Sequence, residues 1–336
     1  MMLMTGLDPA RIAKFSDEQL GSLLRVNGGE QQQLFALARE RRRMAGRDKV
    51  LLRGVIEVSN NCQKKCDYCA MNCRGSIPRY RMEAGMILDI ARHIRDMGIT
   101  TVFIQSGQDP LCRPIMEEVI PAIRDEMGAE VLLCIGEKPR GEYQRYFDLG
   151  ARAYILKFET SDSALYNRVA HGSLEARLQC FRDLKEIGYH VGTGNIIGLP
   201  GQTFQTMLDD IRLAMKLDPH FVSSAPFIPN QGTSYEEYPC GDLNYTLNTM
   251  AIWRIALGGD RLIPTVSALE KLRQDGQLMG LQAGANVMTI NFTPNDCRKN
   301  YAIYTKQRFI VSLEHALRTI ERAGLEPIMD RRSVAA

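Results

Sequence analysis

The chain has 336 residues, 45% apolar and 24% charged, the proportions of a folded protein with a sizeable core. That excludes a disordered tail, a collagenous repeat and a disulfide-stapled miniprotein. The 42 Lys and Arg against 39 Asp and Glu leave a formal charge of +3, too slight to point to nucleic acid or an acidic membrane surface.

Met1–Met4 is followed by Gly6, Asp8 and Arg11, without the apolar stretch of a secretory leader. No apolar run approaches the ~18 residues that a membrane-spanning helix needs. These features predict a cytoplasmic protein with neither membrane nor nucleic acid as partner. Thiols stay reduced in that compartment, so clustered cysteines point to metal or redox chemistry rather than a disulfide framework. Of the nine cysteines, an odd number, three fall within eight residues.

In chain order, residues 1–48 read as a helical extension. Ser16 and Gln19 have the spacing of a capping box, with Leu20, Leu23 and Leu24 on one face behind them. A second helix is expected from about Glu30 to Met44, with Leu34, Leu37 and Ala38 apolar. Its basic end, Arg39-Glu40-Arg41-Arg42-Arg43, is expected to be a solvated terminus favoured by the helix dipole.

From Lys49 onward, short runs rich in β-branched residues alternate with amphipathic stretches. Strands are expected near Gly54–Val58, Thr101–Gln105, Glu130–Ile135, Ala153–Phe158, His190–Ile197, Phe221–Ala225, Ile263–Ser267 and Ala285–Ile290. Helices fall between them, among them Met86–Met97, Ile115–Met127, Leu174–Ile187, Phe204–Lys216 and Leu243–Leu257. Such alternation means parallel strands with crossover helices. Eight strands predict an α/β fold of the (β/α)8 TIM-barrel type, whose active site forms at the strand C-terminal ends. A doubly wound sheet is the competing arrangement. The expected division is the N-terminal helical extension over 1–48, the barrel over 49–295 and a C-terminal helical segment over 296–336 packed on it.

Just after the first strand the chain reads Ser59-Asn60-Asn61-Cys62-Gln63-Lys64-Lys65-Cys66-Asp67-Tyr68-Cys69. Cys62, Cys66 and Cys69 thus form C-x3-C-x2-C on a loop at the expected barrel mouth. Thiolates suit zinc or iron–sulfur centres. Structural zinc favours four tetrahedral ligands in paired knuckles, and here only Cys73 stands near as a fourth. Three thiolates on a 4Fe–4S cluster leave one iron open to bind a further ligand. A non-catalytic zinc-binding scaffold is the competing reading.

Through this triplet on this loop, the sequence resembles the radical S-adenosylmethionine superfamily. The resemblance implies that Cys62, Cys66 and Cys69 hold a 4Fe–4S cluster whose open iron chelates S-adenosylmethionine. An electron donor such as ferredoxin or flavodoxin would reduce the cluster, and cleavage of the cofactor would yield a 5′-deoxyadenosyl radical. Tyr68 matches the aromatic position near the adenine. The string Gln105-Ser106-Gly107-Gln108-Asp109-Pro110, an ordinary turn when read alone, matches the motif that receives the cofactor's amino group. Glu159 matches the carboxylate for the ribose hydroxyls, although an acid there could equally cap the next helix. Arg177 matches the partner of the methionyl carboxylate. Gly192–Gly201 fails as a dinucleotide fingerprint on its glycine spacing. It matches the family's fifth-strand element beside the adenine, which implicates Ile197. Pro226-Phe227-Ile228-Pro229 matches the next loop, which implicates Pro226.

Further strings make the chain similar to the biotin synthase-like group, and within it most similar to HydE-type maturases of FeFe hydrogenase. They are Glu57-Val58-Ser59-Asn60, Arg79-Tyr80-Arg81-Met82, Ile135-Gly136-Glu137-Lys138-Pro139, Gly198-Leu199-Pro200-Gly201-Gln202-Thr203 and Gly284-Ala285-Asn286-Val287. This implies a small-molecule or small metal-complex substrate in cofactor biosynthesis. Sulfur insertion of the biotin or lipoyl type and a methylornithine-type rearrangement are the alternatives. The substrate face departs from the HydE pattern: Lys157 replaces an arginine, Phe221 a methionine, Val266-Ser267 a threonine pair and Cys297 a tyrosine. A lysine keeps the charge but loses the planar fork. Lys157, Thr265, Cys297 and Tyr301 are the expected substrate-facing residues. Cys134 falls where biotin synthase holds an accessory cluster, but Gly192 replaces another of those ligands.

Overall fold

The computed structural model describes residues 12, 14–304 and 307–330. The opening read from Met1–Met4, Gly6, Asp8 and Arg11 lies outside the described residues.

Helix α1 (Asp17–Arg25) begins with the capping box: Ser16 Oγ accepts from the Gln19 amide at 3.2 Å, and Gln19 Oε1 accepts from the Ser16 amide at 3.0 Å. Two donors left free at a helix start are thereby satisfied. Helix α2 (Gly28–Met44) follows. Its basic end is not simply solvated, which corrects the sequence expectation. Arg42 is buried and donates to Leu281 O at 3.1 Å and Ala285 O at 2.7 Å, while Arg39 donates to Gln282 O at 3.0 Å. Guanidinium forks supply the partners that carbonyls at a helix C-terminus lack. The extension is therefore bolted to the barrel.

Seven strands form one curled parallel sheet: β1 (Lys49–Ser59), β2 (Thr101–Ser106), β3 (Glu130–Cys134), β4 (Ala153–Ile155), β5 (His190–Ile197), β6 (Phe221–Pro226) and β7 (Val287–Asn291). Their spatial order is β6-β5-β4-β3-β2-β1-β7. The crossovers are α3 (Ala84–Asp96), α4 (Arg113–Asp125), α5 (Arg140–Leu149), α6 (Ser163–Ala170), α7 (Leu174–Ile187), α8 (Phe204–Leu217) and α9 (Leu243–Leu257), with the short α10 (Ala268–Leu272) and α11 (Gly276–Gln282) before β7. Strands that follow one another without a reversal of order make a singly wound barrel, which disposes of the doubly wound alternative.

The expected strand at Ile263–Ser267 is reduced to a seam. Leu262 bridges Phe221 of β6 and Pro264 bridges Val287 of β7. A proline has no amide hydrogen to extend a ladder. The two bridges nevertheless join the sheet's edges, so the fold is a (β/α) barrel of the expected class. A strand not expected, β8 (Glu326–Ile328), follows α12 (Asn295–Arg298) and α13 (Leu313–Arg322) and pairs in parallel with Lys49–Leu51. Pairing with β2 begins only at Arg53, so β8 covers an edge of β1 that β2 leaves bare, and an edge tolerates Pro327.

Along β1, Leu52, Ile56 and Val58 enter the core between strands and helices, while Arg53, Val55 and Glu57 face the barrel interior. Val55, Phe103 and Leu132 form a small inner apolar cluster. Among the described residues, no helix is long and apolar enough to cross a membrane.

Candidate active site

The barrel encloses a cavity of about 350 Å³ that reaches from the strand C-terminal ends to Arg53 near its floor. Cys62, Cys66 and Cys69 lie on its wall. Their loop is held by polar side chains. Arg79 donates to the carbonyls of Asn60, Met71 and Asn72 at 2.7 Å each and of Gly75 at 2.9 Å. Asn72 Nδ2 donates to Cys66 O at 3.1 Å and Cys69 O at 2.8 Å. Gly107 lets β2 approach: a Cβ there would sit 2.2 Å from Asn61 O and 2.8 Å from Cys62 Cβ. The next amide, Gln108 N–H, points at Cys62 Sγ from 3.3 Å.

Burial pushes the Cys66 thiol up to about 11 and that of Cys69 to about 12, so both stay protonated at neutral pH unless a cation binds. Zinc would need its ligands gathered on one ion. Cys73, which would have to be the fourth thiolate, does not line the cavity that the other three share. A 4Fe–4S cluster instead takes one thiolate on each of three irons, and an amide aimed at a ligand sulfur suits its negative charge. The three thiols fit such a cluster.

Beside the loop, charges are paired. Lys64 Nζ and Arg177 Nε contact the two oxygens of Glu137 at 2.9 and 3.0 Å, and Arg177 Nε also donates to Tyr166 Oη at 2.9 Å. Glu159 sits in the left-handed region at φ 63°, rare for a residue with a side chain. Its amide donates to Gly194 O at 3.0 Å and its carbonyl accepts from Ile196 N at 2.8 Å. Its buried Oε2 accepts no hydrogen bond and lies 3.0 Å from Lys157 Nζ. A strained carboxylate with a spare acceptor, facing a cavity, suits a polar ligand. On the far side, Arg308 meets Glu57 with two nitrogens at 2.5 Å each and lies 5.5 Å from the Tyr301 ring.

The floor differs. Arg53 is buried, donates to Thr289 Oγ1 at 2.7 Å and stacks 4.9 Å above the Phe103 ring. Among the described residues it makes no ion pair. Burial lowers its pKa to about 10, so it remains a cation at neutral pH.

Of the residues singled out by sequence, Tyr68, Gln105, Ser106, Gly107, Lys157, Glu159, Arg177, Pro226, Thr265 and Tyr301 share this cavity with the three cysteines. Two do not line it. Ile197 is buried in the outer core, and its inward neighbour Ile196 takes the wall position, because consecutive strand residues point to opposite faces. Cys297 lies on α12, half-buried and packed against that same core. Thr265 reaches the wall, but its hydroxyl donates to Gln277 O at 2.9 Å. Sequence reasoning gave no role to Arg53, Arg308 or the carboxylate of Glu137. Arg53 and Glu57 had a signal, since both are charges at period two inside the apolar run Val50–Val58.

A parallel barrel with three thiols on the loop after its first strand, beside a charged pocket, defines an enzyme class that combines an iron–sulfur cluster with a small zwitterionic cofactor. The family model of the radical SAM superfamily matches residues 56–214. The chain is 35% identical to the [FeFe] hydrogenase maturase subunit HydE of Thermotoga maritima, over 97% of both chains. It is 27% identical to a 3-methylornithine synthase of Methanosarcina acetivorans, over 94% of this chain and 91% of that one. The solved structure of methylornithine synthase (PylB) superposes with a TM-score of 0.83 at 25% identity, over 95% of this chain and 96% of that one. The chain belongs to the radical SAM superfamily, as an enzyme whose cofactors are a 4Fe–4S cluster and S-adenosylmethionine.

Proposed function

We propose that this is a HydE-like enzyme of metallocofactor maturation, acting on a small anionic substrate held at the cavity floor. Once bound and reduced by a donor such as ferredoxin or flavodoxin, the cluster and S-adenosylmethionine supply a 5′-deoxyadenosyl radical. The chain's own residues do the rest. Cys62, Cys66 and Cys69 would hold the cluster; Gln105 and the backbone around Gly107 would receive the cofactor's ammonium. Arg177 would pair with its carboxylate, Glu159 with its ribose hydroxyls, and Tyr68 and Pro226 would pack at its adenine. Lys157 neutralises Glu159 at the boundary with the substrate space, and Tyr301 walls that space. Enclosure by the barrel keeps water from the reacting atoms.

The observation that carries the substrate class is Arg53, a buried guanidinium open to the cavity and without a carboxylate partner among the described residues. A buried cation of this kind calls for an anion. Similarity to HydE along nearly the whole chain supports the maturation role. The test is replacement of HydE by this chain in hydrogenase maturation, after anaerobic reconstitution with iron and sulfide. Recovery of active hydrogenase is expected. Release of 5′-deoxyadenosine with no hydrogenase activity would reject the maturation role and leave the radical chemistry. The likeness to PylB favours amino-acid rearrangement as the second reading, tested by formation of 3-methylornithine.

A further inference from the structure

Four cysteines line the cavity, and three of them belong to the cluster loop. The fourth is Cys134, the last residue of β3. Alternation along the strand turns Leu132 and Cys134 inward, and Cys134 packs on the inner cluster of Val55, Phe103 and Leu132. It is a free, half-buried thiol whose sulfur makes no hydrogen bond among the described residues.

Register sets its level in the barrel. Cys134 stands beside Gln105 and Gln105 beside Glu57, in the layer of the Glu57–Arg308 pair. Phe103 and Leu132 form the next layer down, and the Arg53 guanidinium lies over the Phe103 ring. Arg53 is 5% exposed and lines the same cavity. Its Nε is spent on Thr289, while Nη1 and Nη2 find no hydrogen-bond partner among the described residues. Buried donors left free in this way point to a ligand. A ligand on those nitrogens extends upward past the Cys134 sulfur before it meets Gln105 and Glu159.

Nucleophiles and metal ligands are thiolates, and burial pushes the Cys134 thiol up to about 11, so it keeps its proton at neutral pH. A protonated thiol in a dry chamber that forms radicals has a different use. Its S–H bond is weaker than the C–H bond that a carbon radical would gain from it.

We propose that Cys134 is a hydrogen-atom donor that quenches the carbon radical left on the substrate after the 5′-deoxyadenosyl radical has acted. The S–H bond breaks homolytically and a C–H bond forms; carbon is reduced, and sulfur is oxidised to a thiyl radical. A low-potential one-electron reductant then returns an electron and water a proton, which restores the thiol. This role rests on the radical chemistry of the class and on the reading of an anionic substrate at the floor, and not on the maturation role.

The test needs no substrate, because the 5′-deoxyadenosyl radical is then itself the carbon radical nearest the thiol. Protein reconstituted with iron and sulfide is incubated with S-adenosylmethionine and dithionite in heavy water, where the thiol exchanges to S–D. Mass spectrometry of the released 5′-deoxyadenosine is expected to find one deuterium in most molecules. Cys134→Ser keeps an exchangeable hydrogen on a stronger bond, and Cys134→Val keeps an apolar wall. In both, the label should fall to background with iron content unchanged. Tyr304→Phe, which removes a hydroxyl from the same cavity wall, should leave the label in place. A second measurement needs no cluster: methyl methanethiosulfonate should modify Cys134 of the cluster-free protein faster than Cys112, which is 1% exposed. Label retained in both Cys134 variants would reduce this thiol to packing and overturn the proposal, as would a Cys134 no more reactive than Cys112. No 5′-deoxyadenosine at all would overturn the radical chemistry, and this role with it.

Discussion

The mouth and the floor of the cavity treat charge in opposite ways. At the mouth, Lys64 and Arg177 share Glu137, Lys157 stands on Glu159, and Arg308 grips Glu57. At the floor, Arg53 has a threonine hydroxyl and an aromatic face. Pairs that are balanced beforehand can exchange partners with the ammonium and carboxylate at the methionyl end of the cofactor, leaving neither of those two charges unpaired. A lone cation cannot; it is satisfied only by an anion. The mouth is thus built for a zwitterion and the floor for a negatively charged group.

The largest expected effect removes both functions together. Cys66→Ala should drop iron from about four per chain to background and abolish 5′-deoxyadenosine release, because two thiolates hold a 4Fe–4S cluster poorly. Iron analysis and product chromatography check it. Retained iron and cleavage would detach the cysteine loop from the chemistry.

Arg53→Met should break the floor and spare the mouth. Loss of a buried charge-assisted contact to the substrate anion is worth about 2–5 kcal/mol, on the order of 30- to 5,000-fold in substrate affinity. Cofactor cleavage without substrate should persist. An equal loss of cleavage in Arg53→Met would show that floor and mouth are not separate.

Glu159→Gln keeps the shape of the mouth and removes the charge opposite Lys157. We expect cofactor affinity to fall about ten- to thirty-fold by calorimetry, with iron content unchanged. A wild-type dissociation constant would take Glu159 out of the cofactor site.

Much of this division was readable in the sequence, and the gaps have physical causes. The helices and most strands followed from period and punctuation, and the cluster loop from its spacing. The seam at Leu262–Pro264 did not, because an apolar run shows no sign that its proline will halve the ladder. β8 was hidden in three residues with a central proline. The inward side of β5 was misplaced by one residue because a strand buried on both faces carries no alternation. The run Arg39–Arg43 looked like a solvated face because charge alone does not tell that Arg42 will find carbonyls. Arg53 was visible as a charge in an apolar strand, but only the folded barrel leaves it without an ion pair among the described residues.

The smallest expected effect concerns what holds the mouth in place. Asp210 on α8 is fully buried; it accepts from the Ser161 amide at 2.6 Å, Ser161 Oγ at 2.7 Å, Asn195 Nδ2 at 3.2 Å and Gln202 Nε2 at 3.0 Å. It therefore ties the loop that carries Glu159 to β5 and to the turn after it. Burial raises its pKa from the usual carboxylate value to about 7. With the folded pKa above the unfolded one, the folded protein holds a proton that the unfolded chain has released. The associated stability is complete below the unfolded carboxylate range and is lost as pH rises toward about 7. Each pH unit in that window should cost up to about 1.4 kcal/mol of unfolding free energy. Asp210→Asn cannot titrate, so its denaturation midpoints should lose this slope while the dependence above neutrality stays. Cofactor affinity should fall only a few-fold, far less than in Glu159→Gln, because the charge at the mouth is intact and only its backbone support is loosened. An unchanged slope in Asp210→Asn would mean that another buried group carries the pH dependence. An unchanged affinity would mean that the strained backbone at Glu159 is held by β5 alone.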